Sequence, residues 1–374
     1  MRSAKRRYRI LVINWQDIRH PLAGGAEVHL HEIFRRVARE HDVTLLCCSF
    51  AGGADEEEID GIRVVRRGGR NFFNYVVPKA YRELAQSRCY DIVLDDLNKI
   101  PFFTPLFVKE PILAIAHHFF GSSIFKEVSP WYGAYVCTAE YLVRWVYRRT
   151  PFAVVSESTR RELRRWGIKS EIHILPNAVE VEAYVGTDGT ADEPVIGYLG
   201  RLKKYKSIDH LIRALPLIRL RVPNARLKII GGGDAEAMLR GLCRELELSE
   251  WIEFTGHVSQ ADKVKHLRSC AVVVNPSPKE GWGLTVLEAN ACGIPVVAAD
   301  SPGLRDSVVD GVTGLLYQYG NLQALTERVT ELLLNKEKRL SLGTQATFWA
   351  KQWSWDESAR IAAELIERYA QHKS

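Results

Sequence analysis

At 374 residues the chain is too long for one ordinary core, so two domains are expected. A composition of 46% apolar and 26% charged residues excludes a disordered or fibrous chain, and no apolar run reaches the length of a membrane span. The net charge of +6 is uneven: residues 1–185 hold 27 Lys and Arg against 22 Asp and Glu, the remainder 24 against 23. The excess is concentrated between Arg144 and Lys169, eight basic residues against Glu157 and Glu162. No nucleic-acid motif accompanies it, so nucleic acid is not an expected partner. The seven cysteines show no metal spacing and fit buried thiols in a reducing compartment. The N-terminal run MRSAKRRYRILVINW reads as a basic tail entering a buried strand rather than a signal segment.

In chain order, YRILVIN is an apolar run of the kind buried on both faces of a parallel sheet. A long loop, WQDIRHPLAGGAE, leads to the helix VHLHEIFRRVARE and the strand DVTLLCCS. Gly24 and Gly25 directly precede the helix, with Glu27 in its first turn, and offer a helix start open to a diphosphate. The strand GIRVVRRG, a helix over residues 77–87 and the strand DIVLDD follow, then the strand ILAIAHH. His117 and His118 close that strand, where open α/β sheets bind ligands. Either could position a substrate or pass a proton. Residues 119–135 are rich in aromatics, AEYLVRWVYRRTPF reads as a helix and FAVVS as a strand. Ser156 caps the helix STRRELRRWG, in which Arg160, Arg161, Arg164 and Arg165 share one broad face. With Arg144, Trp145, Arg148 and Arg149 they form either an interfacial membrane surface or a solvated basic face. Asp95 and Asp96 close the strand DIVLDD.

The polar stretch VEAYVGTDGTADEP, residues 181–194, is the linker candidate. A second α/β series then runs through VIGYLGR, SIDHLIRALPLIRLR, ARLKIIGGG, DAEAMLRGLCRELEL, IEFTGHV, DKVKHLRSC and AVVVNPS. Arg201 follows its first strand and Lys206 stands five residues on, a pair of cations suited to a diphosphate. In NPSPKEGWGLTVLEANACGIPVVAADSPGLRD, Gly281 and Gly283 flank Trp282 at a helix start, and Glu288 lies eight residues after Glu280. Glycine-flanked backbone N–H groups there suit a phosphate, and the carboxylates suit sugar hydroxyls. The terminal WSWDESARIAAELIERYAQ is an amphipathic helix.

The pairing of GRLKKYKSIDHLI with PKEGWGLTVLEANACGIPVVAADSPGLRDSV resembles the retaining glycosyltransferases of the GT-B fold, family GT4. The resemblance covers most of the chain and implies an α/β architecture of two Rossmann-like doubly wound domains facing across a cleft. It implies an acceptor domain over 1–180, a donor domain over 181–354, and a helix over 355–374 returning to the first domain. Carried over by position, Arg201 and Lys206 bind the donor diphosphate, Glu280 the transferred sugar and Glu288 the ribose. Gly283, Leu284 and Thr285 supply backbone for sugar and phosphate, Val258 reads the base, and Gly24 and Gly25 close over the donor. His117 matches the histidine near the reacting sugar, with His118 left open by the doublet. The implied reaction is hexosyl transfer from a UDP- or GDP-sugar with retention, front-side and without metal or other cofactor. The acceptor is expected to be lipid-linked or on an anionic membrane surface, with Asp95, Asp96 and His118 as candidate contacts, and the location cytoplasmic, peripheral on the membrane face. The alternatives are a nucleotide-sugar epimerase of the same fold, or transfer to a soluble acceptor.

Overall fold

The structure, a computed structural model, describes residues 6–98, 100–184 and 193–371. It divides into two compact units, one of residues 1–122, 130–177 and 355–374, the other of residues 123–129 and 178–354. Against the boundary expected after residue 180, the division falls after Asn177, and the short segment 123–129 joins the second unit. Of the expected linker, residues 185–192 lie outside the described residues, while Val181–Ala183 forms a single 3-10 turn.

The first unit runs β1 (Arg9–Ile13), α1 (Gly25–Val37), β2 (Asp42–Ser49), β3 (Glu56–Ile59), β4 (Ile62–Gly69), α2 (Phe73–Ser87), β5 (Ile92–Leu97), β6 (Ile112–Ala116), α3 (Pro130–Val146), β7 (Phe152–Val154), α4 (Glu157–Arg165) and β8 (Ile172–Ile174). Its sheet order is β3-β4-β2-β1-β5-β6-β7-β8, parallel except for the β3–β4 hairpin. Chain order reverses between β1 and β5, and such switch points open a crevice at the carboxyl ends of the strands.

Several features differ from the sequence reading. The acidic strand EEEI of β3 lacks an apolar pattern and is held by pairing with β4. Helix α2 starts at Phe73, one turn before the expected residue 77. Helix α3 starts at Pro130, not at residue 139, so Trp131, Tyr132 and Tyr135 belong to it. Proline suits a first helical position, and Gly133, which masks the helical pattern, is buried inside it. Among the cysteines Cys89 is exposed, contrary to the expectation of buried thiols.

The second unit runs β9 (Val195–Leu199), α5 (Ile208–Arg219), β10 (Arg226–Ile230), α6 (Glu236–Glu245), β11 (Ile252–Gly256), α7 (Gln260–Arg268), β12 (Val272–Asn275), α8 (Leu284–Ala291), β13 (Val296–Ala299), α9 (Leu304–Ser307), β14 (Gly314–Tyr317), α10 (Leu322–Leu334) and α11 (Lys336–Lys351). Its all-parallel order, β11-β10-β9-β12-β13-β14, switches between β9 and β12. The last helix, α12 (Trp355–Ala370), belongs to the first unit and packs on α1. There Ser358 donates to Pro176 O at 2.9 Å, and Arg36 pairs with Asp356 at 2.6 Å.

Candidate active site

In the second unit, Arg201 and Lys206 follow the carboxyl end of β9, and Glu280 follows that of β12, the two strands that flank the switch point. The Lys206 ammonium pairs with a Glu280 carboxylate oxygen. Burial would lower the Lys206 pKa, but Glu280 and the neighbouring tyrosines outweigh it, so the ammonium is held well above its ordinary value. Arg201 is exposed to solvent. Backbone geometry fixes both loops. A Cβ on Gly231 would sit 2.2 Å from Gly200 O, so only glycine lets the β10 turn approach the β9 loop that carries Arg201. Glu280 N–H donates to Pro302 O at 3.0 Å, and a Cβ on Gly303 would lie 2.2 Å from Glu280 O at a φ of +84°. Trp282 is buried beside them and meets Trp353 edge-on at 4.9 Å.

Gly283 caps α8 without any side-chain hydrogen bond to its first turn. The first-turn amides of Leu284 and Thr285 have no intrahelical partner, so the helix start presents donors to an anion. Glu288, one turn in, is buried and accepts from Tyr184 Oη at 2.8 Å and from the Lys263 ammonium. Burial, then the Glu288 charge, drives the Tyr184 hydroxyl upward, so it stays a neutral donor. Neither Lys263 nor Tyr184 is visible as a site residue in the sequence, because each reaches Glu288 from a separate element. Val258 is half-buried in the turn between β11 and α7.

In the first unit His117, at the end of β6, lies 3.1 Å from an Asp96 oxygen on β5. Burial alone would lower the His117 pKa; the Asp96 carboxylate, with Glu27 behind it, reverses this and raises it. His29 of α1 meets the His117 ring edge-on at 5.0 Å and donates from Nε2 to Leu175 O at 3.1 Å. Burial first, and the His117 charge second, pull His29 down to about 3. The two rings are therefore biased in opposite directions: Asp96 favours the protonated form of His117, and burial keeps His29 neutral. Trp355 backs His29, with ring centres 6.0 Å apart. His29 is not legible in the sequence because its partners come from β6, the segment after β8, and α12.

Two expected sites, Asp95 and Asp96, are corrected. Asp95 is no acceptor contact: it is fully buried, accepting from the Thr104 hydroxyl and from Tyr147 Oη at 2.5 Å. Burial raises it to about 6. Adjacent positions on a strand face opposite ways, so Asp96 turns to the other face, where it serves His117 rather than an acceptor. At the α1 start the Gly24 N–H donates to Glu27 Oε2 at 2.8 Å, and Glu27 Oε1 accepts from Asn98 Nδ2 at 2.9 Å. Gly25 is exposed, with open space where a Cβ would stand. His118 is half-buried against Phe120, with ring centres 5.0 Å apart. The loop after it is clamped by buried Glu140, which accepts from Phe120 N at 2.6 Å and Gly121 N at 2.8 Å.

On α4, Arg160 pairs with Glu157 at 2.6 Å and Arg161 with the same residue at 3.4 Å. Arg164 donates to Ile168 O and Ser170 O, and Arg165 is exposed. These four line a shallow groove with Ile172. Arg144 lies over the Tyr141 ring at 4.5 Å; Trp145, Arg148 and Arg149 are exposed, while Tyr147 is buried. Among the described residues no group of three or more His, Cys, Asp or Glu could hold a metal ion.

The model of Glycosyl transferases group 1 matches residues 188–349, and that of Glycosyltransferase Family 4 matches residues 23–183. The chain is a family 4 glycosyltransferase of the GT-B fold. Over 375 residues this glycosyltransferase is 28% identical to the GDP-mannose-dependent alpha-(1-6)-phosphatidylinositol monomannoside mannosyltransferase of Mycobacterium tuberculosis (strain CDC 1551 / Oshkosh), a match covering 92% of this chain and 95% of that one. It is 32% identical over 231 residues to the enzyme of the same name from Mycolicibacterium smegmatis, a match covering 57% of this chain and 60% of that protein's length. In structure it is similar to sucrose-phosphate synthase from Thermosynechococcus elongatus, with a TM-score of 0.83, 20% identity, and coverage of 97% and 99% of the two chains.

Proposed function

We propose that this glycosyltransferase moves a hexosyl unit from a UDP- or GDP-sugar to a lipid-linked or membrane-surface acceptor, with retention and without a metal ion. The observation that carries the reading is the Lys206–Glu280 pair together with exposed Arg201 and the uncapped start of α8. Anionic phosphate suits the two cations and the α8 amides, and neutralising it stabilises a departing nucleoside diphosphate. Two cations, Lys206 held by Glu280 and exposed Arg201, take the electrostatic role that a divalent ion has in other transferases. Glu280, held by Lys206, positions the transferred sugar and stabilises positive charge developing at its anomeric carbon. The leaving phosphate oxygen takes the acceptor proton. Glu288 holds ribose hydroxyls, and Val258 offers backbone to the base. His117, in the first unit, stands at its strand end beside Asp96, whose carboxylate favours the protonated ring.

The names of the two relatives support a GDP-mannose donor and a phosphatidylinositol mannoside acceptor as the first pair to test. The test incubates the protein with GDP-mannose or UDP-glucose, with and without vesicles containing phosphatidylinositol mannoside, after EDTA treatment. Acceptor-dependent nucleotide release, with an α-linked product by NMR, is expected. Donor consumption without acceptor would favour an epimerase, and loss of activity with EDTA would overturn the metal-free mechanism.

A further inference from the structure

Helix α3 is apolar on two sides. Inward it buries Val136, Ala139 and Val143. Outward it exposes Trp131 (90%), Trp145 (64%), Leu142 (41%) and Tyr135 (38%). These four recur at helical spacing and form one stripe along the solvent side. The start of α2 extends it: the Tyr75 and Tyr135 hydroxyls lie 3.0 Å apart, and Tyr75 is exposed. A helix that is apolar all round is ordinarily buried, so this stripe needs an occupant.

We infer that the α3 stripe, with Tyr75, is the surface by which this protein enters the headgroup region of an anionic bilayer. The inference rests on the membrane-acceptor reading above and names the surface that reading leaves open. Three observations select this occupant. The stripe is built mainly of Trp and Tyr, residues that settle at the membrane–water boundary with the ring among acyl chains and the polar tip among headgroups. Its C-terminal end is basic: Arg144, Arg148 and Arg149 stand in a stretch with no acidic residue from Tyr141 to Ser156, which complements anionic headgroups. Among the described residues no helix is long and apolar enough to cross a membrane, so α3 lies in the surface rather than through it. The arginines of α4 are secondary. Arg160 and Arg161 are shared with Glu157, and Arg164 is engaged by backbone carbonyls.

The test is flotation of the full chain, without donor, with vesicles of equimolar phosphatidylcholine and phosphatidylglycerol and with vesicles of phosphatidylcholine alone. The wild type is expected to float with the mixed vesicles and to bind pure phosphatidylcholine more weakly. The double variant Trp131→Ser/Trp145→Ser is expected to lose vesicle affinity about tenfold or more, each tenfold being about 1.4 kcal/mol. The variant Arg161→Ser/Arg165→Ser is expected to lose less. Titration of each variant with GDP and UDP reports the donor site separately. Flotation of the tryptophan variant at the wild-type level would overturn the inference. So would a wild type that ignores both vesicles, or a dimer in light scattering that the tryptophan variant converts to monomer, which would assign the stripe to a second copy. Vesicle binding by a protein that transfers no sugar would instead overturn the function and leave the surface standing.

Discussion

The two units hold their ionisable groups in opposite ways. In the second, the two carboxylates near the start of α8 are each paired with a lysine: Glu280 with Lys206 and Glu288 with Lys263. These pairs are partly accessible, so a ligand can exchange for one member. In the first, His117 and Asp96 are buried on neighbouring strands, with His29 packed against the imidazole. That arrangement biases His117 toward its protonated form and His29 toward the neutral one, away from solvent. Each half can be broken alone.

The largest effect is expected from Glu280→Ala, which removes the carboxylate proposed to face the sugar and leaves Lys206 partly buried without its partner. Turnover in a nucleotide-release assay should fall about 100- to 1,000-fold, the range for losing a preorganised electrostatic group. The circular dichroism spectrum should be unchanged. Next, Glu288→Gln keeps the shape but removes the charge that holds Lys263 and Tyr184. It should raise the donor KM about tenfold with little change in kcat, as for a binding contact used equally in ground and transition states.

Asp96→Asn addresses the other half. The aspartate raises the His117 pKa, so the neutral amide should move the corresponding limb of the pH–rate profile to lower pH. An unmoved limb would remove His117 from the reaction. The smallest effect is on stability. His29 has a folded pKa of about 3, below its unfolded value, so the unfolded chain binds the extra proton between the two. Stability from this group is therefore complete above about pH 6.5 and declines as the pH falls toward 3. His29→Gln should flatten that acid limb in urea titrations at about pH 4 to 7, and an equally steep limb would show the acid lability to lie elsewhere.

Legibility in the sequence follows the same division. Arg201 with Lys206, and Glu280 with Glu288, are each separated by a few residues within one loop-and-helix segment, so spacing alone brings each pair into view. The buried strands are equally plain, because a parallel sheet writes them as unbroken apolar runs such as ILVI and VVAA. The histidine cluster is half visible. His117 marks a strand end, but Asp96 and His29 reach it from β5 and α1 through contacts that no local pattern records. Asp95 and Asp96 mislead for the same reason: a DD pair at a strand end looks available, and only the neighbouring strands and Tyr147 show both to be enclosed. The bond from Gly24 N–H to Glu27 is a side-chain choice that spacing allows without requiring.

The most direct measurement is calorimetric titration of GDP and UDP into the wild type and into Arg201→Ala, a change at an exposed side chain. If the β9–β12 switch point holds the donor diphosphate, at least one nucleotide should bind the wild type, and the variant should bind it about 100-fold more weakly, since a charge-assisted contact to phosphate contributes about 1.5–3 kcal/mol. Equal affinity of both proteins for the same nucleotide would contradict the account.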